Sequence, residues 1–270
     1  MRPGWGLSGK TVVVTGGAGL LGTRFCRGLA EEGAFVAVVD QLGSAARKLA
    51  AGLRMDFGVP AIGISCDVAQ PRSVRAMVRK VVGEFSRIDI LVNNAASKSG
   101  DLAAFFRPFE KYSLWQWRKI MAVNLDGMFL VAQAVGSQML KQKNGGSIIH
   151  TSSIYGRLGP DDRIYRGAKY LGCAINTPAV YAASKAGVIG LSRYLATRWA
   201  DHGIRVNTLV PGGVASGQNR AFQRRYAARV PMGRMAKAGE MVGAVLYLAS
   251  EHSSYVTGQC LVVDGGLEAW

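Results

Sequence analysis

The sequence predicts an α/β fold: a doubly wound, seven-stranded parallel sheet of Rossmann type, helices on both faces, in a single domain over residues 1–270. Three observations carry this. Apolar runs alternate with segments of helical spacing along the chain. The runs are apolar throughout rather than at every second residue, the pattern of strands buried on both faces. A glycine-rich turn joins the first run to the first helical segment.

The first strand reads TVVVT, 11–15, and GGAGLLG leads from it into a helix from Leu20 to Glu32. AFVAVVD, 34–40, is a second strand ending in an acid; residues 44–55 then carry apolar positions at helical spacing. AIGISCDV, 61–68, is the third strand. PRSVRAMVRKVVGEF, 71–85, opens with proline, which suits a helix's first turn. IDILVNNAA, 88–96, gives the fourth strand and its exit loop. A long helical segment from Ser113 to Leu140 precedes the fifth strand, GSIIHTSS, 146–153. The helix carrying Tyr181 runs to about His202, and IRVNTLVPGG (204–213) and QCLVVDGG (259–266) are the last two strands.

Four dispersed cysteines and three scattered histidines match no metal-ligand spacing, so no metal site is expected, and the thiols fit a reducing, cytoplasmic setting. No uninterrupted apolar run reaches the ~18 residues of a membrane span, and the start MRPGWGLSGK lacks the apolar stretch of a signal peptide. The expected partner is a small-molecule substrate, with neither membrane nor nucleic acid. The net charge of +16 is spread without a basic run, which reads as a solvated surface or as attraction of an anionic substrate.

The turn at 15–22 reads as a phosphate cradle. Gly16, Gly19 and Gly22 let the backbone approach a pyrophosphate, and the helix start at Leu20 and Leu21 offers free N–H groups. Asp40 ends the second strand about twenty residues on, where a carboxylate can bind both ribose hydroxyls and repel a 2′-phosphate. Gln41 follows it instead of arginine. NAD(H) is therefore expected over NADP(H). Asp67, ahead of Val68, can accept a hydrogen bond from adenine or cap a turn.

Tyr181 and Lys185 in YAASK lie one helical turn apart on one face. An ammonium beside a phenol favours the phenolate, and such a phenol can carry a proton to or from a substrate oxygen.

Together these pieces resemble the short-chain dehydrogenase/reductases over nearly the whole chain: TGGAGLLG, CDV (66–68), NNAA (93–96), VNLDG (123–127), SS (152–153), YAASK, PGGVAS (211–216) and VDGG (263–266). The resemblance implies a catalytic tetrad of Asn124, Ser153, Tyr181 and Lys185. Tyr181 would be the general acid or base and Ser153 would hold the substrate oxygen. Lys185 would lower the phenol's pKa and bind the nicotinamide ribose, and Asn124 would hold a relay water. Asn94, Ala95 and Ala96 would line the adenosine side, with Asn93 supporting the core. Pro211, Gly212, Gly213, Val214 and Ser216 would cover the nicotinamide. The chain departs from the family pattern at Leu20 and at Ala96, each standing where glycine is usual. It departs again in the long spacing from Ser153 to Tyr181. A second pair, Tyr165 and Lys169, sits at the shorter spacing; an internal glycine and the lack of an apolar stripe argue against it.

Residues 154–180 then read as an insertion beside the active site, and about 215–235 as a substrate lid. The insertion is similar to a branch handling sugars and sugar acids, including gluconate 5-dehydrogenase-like enzymes and oxidoreductases of surface-polysaccharide sugars. Asp161, Asp162, Arg163 and Arg166, and the arginine pairs 220/224 and 225/229, are candidates to meet an anionic, polyol-type substrate or are solvated charges. The expected reaction interconverts a secondary alcohol and a ketone. The alternatives are a 3-oxoacyl-thioester reductase of the same family and a non-catalytic binding protein on this scaffold. The resemblance also implies a homo-oligomer, dimer or tetramer.

Overall fold

A computed structural model describes residues 4–270. The expectation about the chain start falls partly on residues 1–3, which lie outside the described residues. The apolar runs form β1 (Thr11–Thr15), β2 (Phe35–Asp40), β3 (Ala61–Ser65), β4 (Ile90–Asn93) and β5 (Gly146–Thr151). A small antiparallel hairpin, β6 (Lys169–Tyr170) and β7 (Cys173–Ala174), precedes β8 (Ile204–Pro211) and β9 (Cys260–Val263). The seven strands other than the hairpin pair in parallel in the order β3-β2-β1-β4-β5-β8-β9. Several strands end two or three residues before the sequence runs do. The residues left over (CDV, NAA, SS) turn out of the ladder at the carboxyl edge, where a site can form.

The helices are α1 (Leu20–Glu31), α2 (Gly43–Phe57), α3 (Pro71–Phe85), α4 (Leu102–Phe105), α5 (Leu114–Met121), α6 (Gly127–Gln142), α7 (Ala179–Trp199), α8 (Arg220–Ala227) and α9 (Val242–Ala249). Side chains alternate across the sheet. Val12 and Val14 join Phe25, Leu53 and Val245 on the face covered by α1, α2 and α9. Val13, Ile148 and Val206 join Met77, Val135 and Trp199 under α3, α6 and α7. The sequence reading missed α9, whose VGAVLYLA is apolar all round and has no stripe to separate it from a buried strand. It also missed α4 and the hairpin, both too short to carry a period.

The predicted 113–140 helix is α5 and α6 joined by a π turn at Ala122–Asp126. By length and composition the stretch Leu114–Gln142 would suit a membrane, beyond what the run-length reading allowed. Here its inner face, with Val131, Val135 and Met139, is buried against the sheet. Residues from the 154–180 and 215–235 stretches form a third apolar cluster, in which Ile154, Ile164 and Ala168 meet Phe222, Tyr226 and Val230.

Candidate active site

Strand order reverses between β1 and β4, and the crevice this leaves at their carboxyl ends is where ligands of such sheets bind. The glycine turn lines it. Gly16 holds φ +61°, and a Cβ there would lie 2.9 Å from Ala95 Cα. A Cβ on Gly22 would fall 2.0 Å from the Gly16 carbonyl oxygen, so α1 lies directly on the turn. Gly19 is the N-cap and brings no side chain to cover the first N–H groups of α1. The departure at Leu20 is accommodated because that side chain points out, half exposed.

Asp40 accepts hydrogen bonds from Ala18 N–H (3.1 Å) and Leu42 N–H (3.0 Å), fixing its carboxylate beside the turn. Gln41 is exposed, and its carbonyl accepts from Ser65 Oγ at 3.3 Å. Asp67 caps its own turn, accepting from Ala69 N–H at 3.0 Å, and Val68 is buried against Gly127. Thr15, which sequence reasoning did not single out, organises the fourth-strand exit. Its Oγ1 donates to Asn93 Oδ1 and accepts from Asn94 N–H and Ala95 N–H. Asn94 Nδ2 donates to the carbonyls of Thr15 and Gly16.

The four tetrad candidates come from three places in the fold. Ser153 leaves β5 and accepts from Tyr155 N–H at 3.3 Å. Tyr181 and Lys185 share α7, and Lys185 Nζ donates to the Thr151 carbonyl at 2.8 Å while standing 5.9 Å from the Tyr181 ring centre. Asn124 comes from the π turn and is buried; its Oδ1 accepts from Ser97 N–H at 2.7 Å, and its Nδ2 has no partner among the described residues. Burial pushes Lys185 down to about 8. Burial also raises the Tyr181 phenol above its ordinary value, against a smaller opposing pull from the Ser153 hydroxyl. The expectation that Lys185 holds the phenol low is thus corrected for the protein alone: the lysine bonds to Thr151, and removal of the phenol from water dominates.

Ser153, Tyr181 and Lys185 open on one cavity of about 330 Å³ with Leu20, Leu21, Asn94 and Ala96. Pro211, Gly212, Gly213, Val214 and Ser216 also line it. Gly213 N–H donates to Tyr226 Oη at 2.5 Å, and Ser216 is clasped by Gln218, which tie this stretch to the lid. Gly16, Gly19, Gly22, Asp40, Gln41, Asp67, Val68, Ala95 and Asn124 are outside the cavity wall; they sit along the crevice or beneath it.

The far wall is mostly aromatic. Phe105, Phe106, Tyr155, Tyr165, Tyr170 and Phe222 line it, with Lys98 at its edge, the ammonium 4.4 Å from the Tyr170 ring centre. These residues belong to no sequence motif; most come together only through the hairpin and the lid. The charged residues expected there are elsewhere. Asp161 pairs with Arg163 (2.9 Å) and Arg229 (3.5 Å), and Asp162 and Arg166 are exposed. Arg220 and Arg224 line a separate surface groove with Arg234 and Lys237. Tyr165 lies in a 3-10 turn and Lys169 on β6, so that pair does not share a helix.

A family model described as enoyl-(acyl carrier protein) reductase matches residues 17–268. The chain is 37% identical over 265 residues to a D-threitol dehydrogenase of Mycolicibacterium smegmatis, covering 96% of this chain and 93% of that one. It is 34% identical over 266 residues to a 3-oxoacyl-[acyl-carrier-protein] reductase of Vibrio cholerae, covering 97% and 98%. Among solved structures, a gluconate 5-dehydrogenase from Burkholderia cenocepacia, in complex with NADP and tartrate, superposes with a TM-score of 0.85 at 35% identity, over 98% of both chains. The chain belongs to the short-chain dehydrogenase/reductase family, and it is an oxidoreductase. The uncapped helix start, the glycine cradle and the orphaned Asn124 amide fit the nicotinamide dinucleotide that the family binds.

Proposed function

We propose that this enzyme interconverts a secondary alcohol and a ketone on a small polyhydroxylated substrate, a sugar alcohol or sugar acid, and prefers NAD(H). The observation that carries the reading is the opening of Ser153, Tyr181 and Lys185 onto one cavity beside the glycine turn. The threitol- and gluconate-named relatives support the substrate class. Lys98, which lines the cavity with its ammonium over the Tyr170 ring, is better placed to meet a carboxylate than Arg220 and Arg224, which line a separate groove. Asp40 supports NAD(H), although one solved relative holds NADP.

A bound nicotinamide would supply or accept the hydride. Glycines 16, 19 and 22 would hold its pyrophosphate and Asp40 its ribose. Ser153 would hold the substrate oxygen while Tyr181 gives or takes the proton at that oxygen. With its pKa raised by burial, Tyr181 starts as a neutral phenol, ready to protonate an oxygen during ketone reduction. Lys185, anchored by the Thr151 carbonyl, would place its charge near the phenol, and the free Asn124 amide would hold a water behind it. Exposed Trp115 and Tyr194, on α5 and α7, support an oligomer.

The test is a panel of D-threitol, xylitol, gluconate and tartrate with NAD⁺ and NADP⁺, followed by absorbance of the reduced cofactor. Turnover of at least one polyol, faster with NAD⁺, is expected. A second reading, a 3-oxoacyl-thioester reductase, is favoured by the aromatic wall and the Vibrio relative. Rapid reduction of an acetoacetyl thioester with NADPH, and none of the polyols oxidised, would establish it instead.

A further inference from the structure

We propose that Tyr155 is a specificity-determining hydrogen-bond donor to a substrate oxygen remote from the reacting carbon, and that Tyr165 and Thr177 are positioning residues that aim it. The proposal rests on the polyol reading above and names what recognises the hydroxyls.

Three hydroxyls of the cavity wall form one chain. Tyr165 Oη donates to Tyr155 Oη at 2.9 Å and lies 2.5 Å from Thr177 Oγ1. A phenol has one proton to give. Tyr165 spends its proton on Tyr155, so Thr177 is the donor in the second contact. The chain therefore runs Thr177 to Tyr165 to Tyr155, and ends on a phenol that accepts from Tyr165 and keeps its own proton to give. All three residues line the cavity that holds Tyr181 and Ser153, and Tyr155 follows Ser153 by two positions.

The polarity fixes the chemistry. The end of the chain offers a hydrogen, so it recognises an acceptor: a hydroxyl or carboxylate oxygen of the bound molecule. The ring beneath it is held on the apolar side by the insertion and lid, where Tyr165 stacks on Phe222 with centroids 5.5 Å apart. Residues 154–180 thus do more than close the pocket; Tyr165 and Thr177 come from this insertion and set the direction of the donor. The same residues account for the rejected Tyr165–Lys169 pair, whose tyrosine serves orientation instead of proton transfer.

The experiment compares wild type with Tyr155→Phe, Tyr165→Phe and Thr177→Val in two assays. One measures kcat and KM for D-threitol and for 2,3-butanediol, which lacks the terminal hydroxyls. The other measures tartrate affinity calorimetrically at saturating NADH, with NADH fluorescence reporting the fold. Losing one neutral hydrogen bond weakens binding about three- to tenfold. In Tyr165→Phe, the threitol KM should rise by that factor with kcat held, and the threitol-to-butanediol ratio of kcat/KM should fall at least threefold. Tartrate should weaken by the same factor in the Tyr155 and Tyr165 variants and less in Thr177→Val. Equal tartrate affinity in all four proteins, or no tartrate binding to wild type, overturns the proposal. Weakened tartrate binding with no polyol turnover would sink the polyol dehydrogenase reading and leave this one standing.

Discussion

His150 Nδ1 lies 2.8 Å from Ser192 Oγ, on the buried side of the strand that delivers Ser153. Ser192 already donates to the Val188 carbonyl, so it accepts here, and the imidazole carries its proton on Nδ1. Nε2 is buried with no partner among the described residues. Burial, aided by the nearby Lys185 charge, holds His150 down to about 4. The unfolded chain takes up a proton as pH falls through about 6.5, whereas the folded one resists until about 4. This residue's contribution is therefore present above pH 6.5 and lost between 6.5 and 4, on the order of 3 kcal/mol. Asp161 and Glu240, both held at about 2, lose their contribution from near the foot of this window downward, and do so equally in wild type and in a His150 variant. A His150→Asn variant should show a flatter decline in denaturant stability between pH 6.5 and 4; parallel curves for the two proteins would refute the assignment.

Tyr181→Phe removes only a hydroxyl from the cavity floor. Turnover should fall by about 10²- to 10⁴-fold, while NADH fluorescence titration changes little. As the proposed base in alcohol oxidation, wild-type Tyr181 would act as the phenolate. Because burial raises the phenol's pKa, oxidation should climb with pH through the alkaline range while ketone reduction does not. A variant with near-normal turnover would remove Tyr181 from the chemistry.

Asp40 holds two backbone N–H groups and would face the adenosine ribose. Asp40→Ser should raise kcat/KM with NADP⁺ relative to NAD⁺ by at least about tenfold, by withdrawing a like charge from the 2′-phosphate. It should also lower stability by about 1–3 kcal/mol, because the Ala18 and Leu42 donors lose a charged acceptor. An unchanged cofactor ratio would show that the carboxylate does not read the ribose.

Gly22→Ala forces a methyl to within 2.0 Å of the Gly16 carbonyl oxygen, backbone against backbone. A loss of about 1–3 kcal/mol is expected, with weaker NADH binding as α1 shifts off the turn. A Cβ placed on Gly52, inside α2, would meet nothing within 4 Å. Gly52→Ala should stabilise by about 0.5–1 kcal/mol. Thermal melts of the two variants separate these outcomes; equal melting temperatures would contradict the packing argument.

The sheet was legible because each strand is apolar on both faces and long enough to count. The glycine turn, Asp40 and the Tyr181–Lys185 pair were legible because each needs a fixed local spacing. The aromatic wall of the cavity was not. Tyr155, Tyr165, Phe106 and Phe222 are ordinary aromatics in sequence, and they converge only when the insertion folds on α8. The same convergence turned Asp161 outward to Arg163 and Arg229, so charges that look like substrate contacts serve as struts. The pKa of Tyr181 escapes the sequence for a similar reason. Helical spacing reports that Lys185 is near, but not that the Thr151 carbonyl claims its ammonium or how little water reaches the phenol.

The π turn at Ala122–Asp126 has a consequence for what sequence change this region can absorb. Such a turn holds one residue more than an α-helical register needs. Deleting one residue of this turn other than Asn124 would let α5 and α6 merge into a regular α-helix and take Asn124 out of its bond with Ser97. Residue count, as much as residue chemistry, is what this stretch must preserve: a one-codon loss keeps the flanking helices in register yet removes the local bulge that presents Asn124.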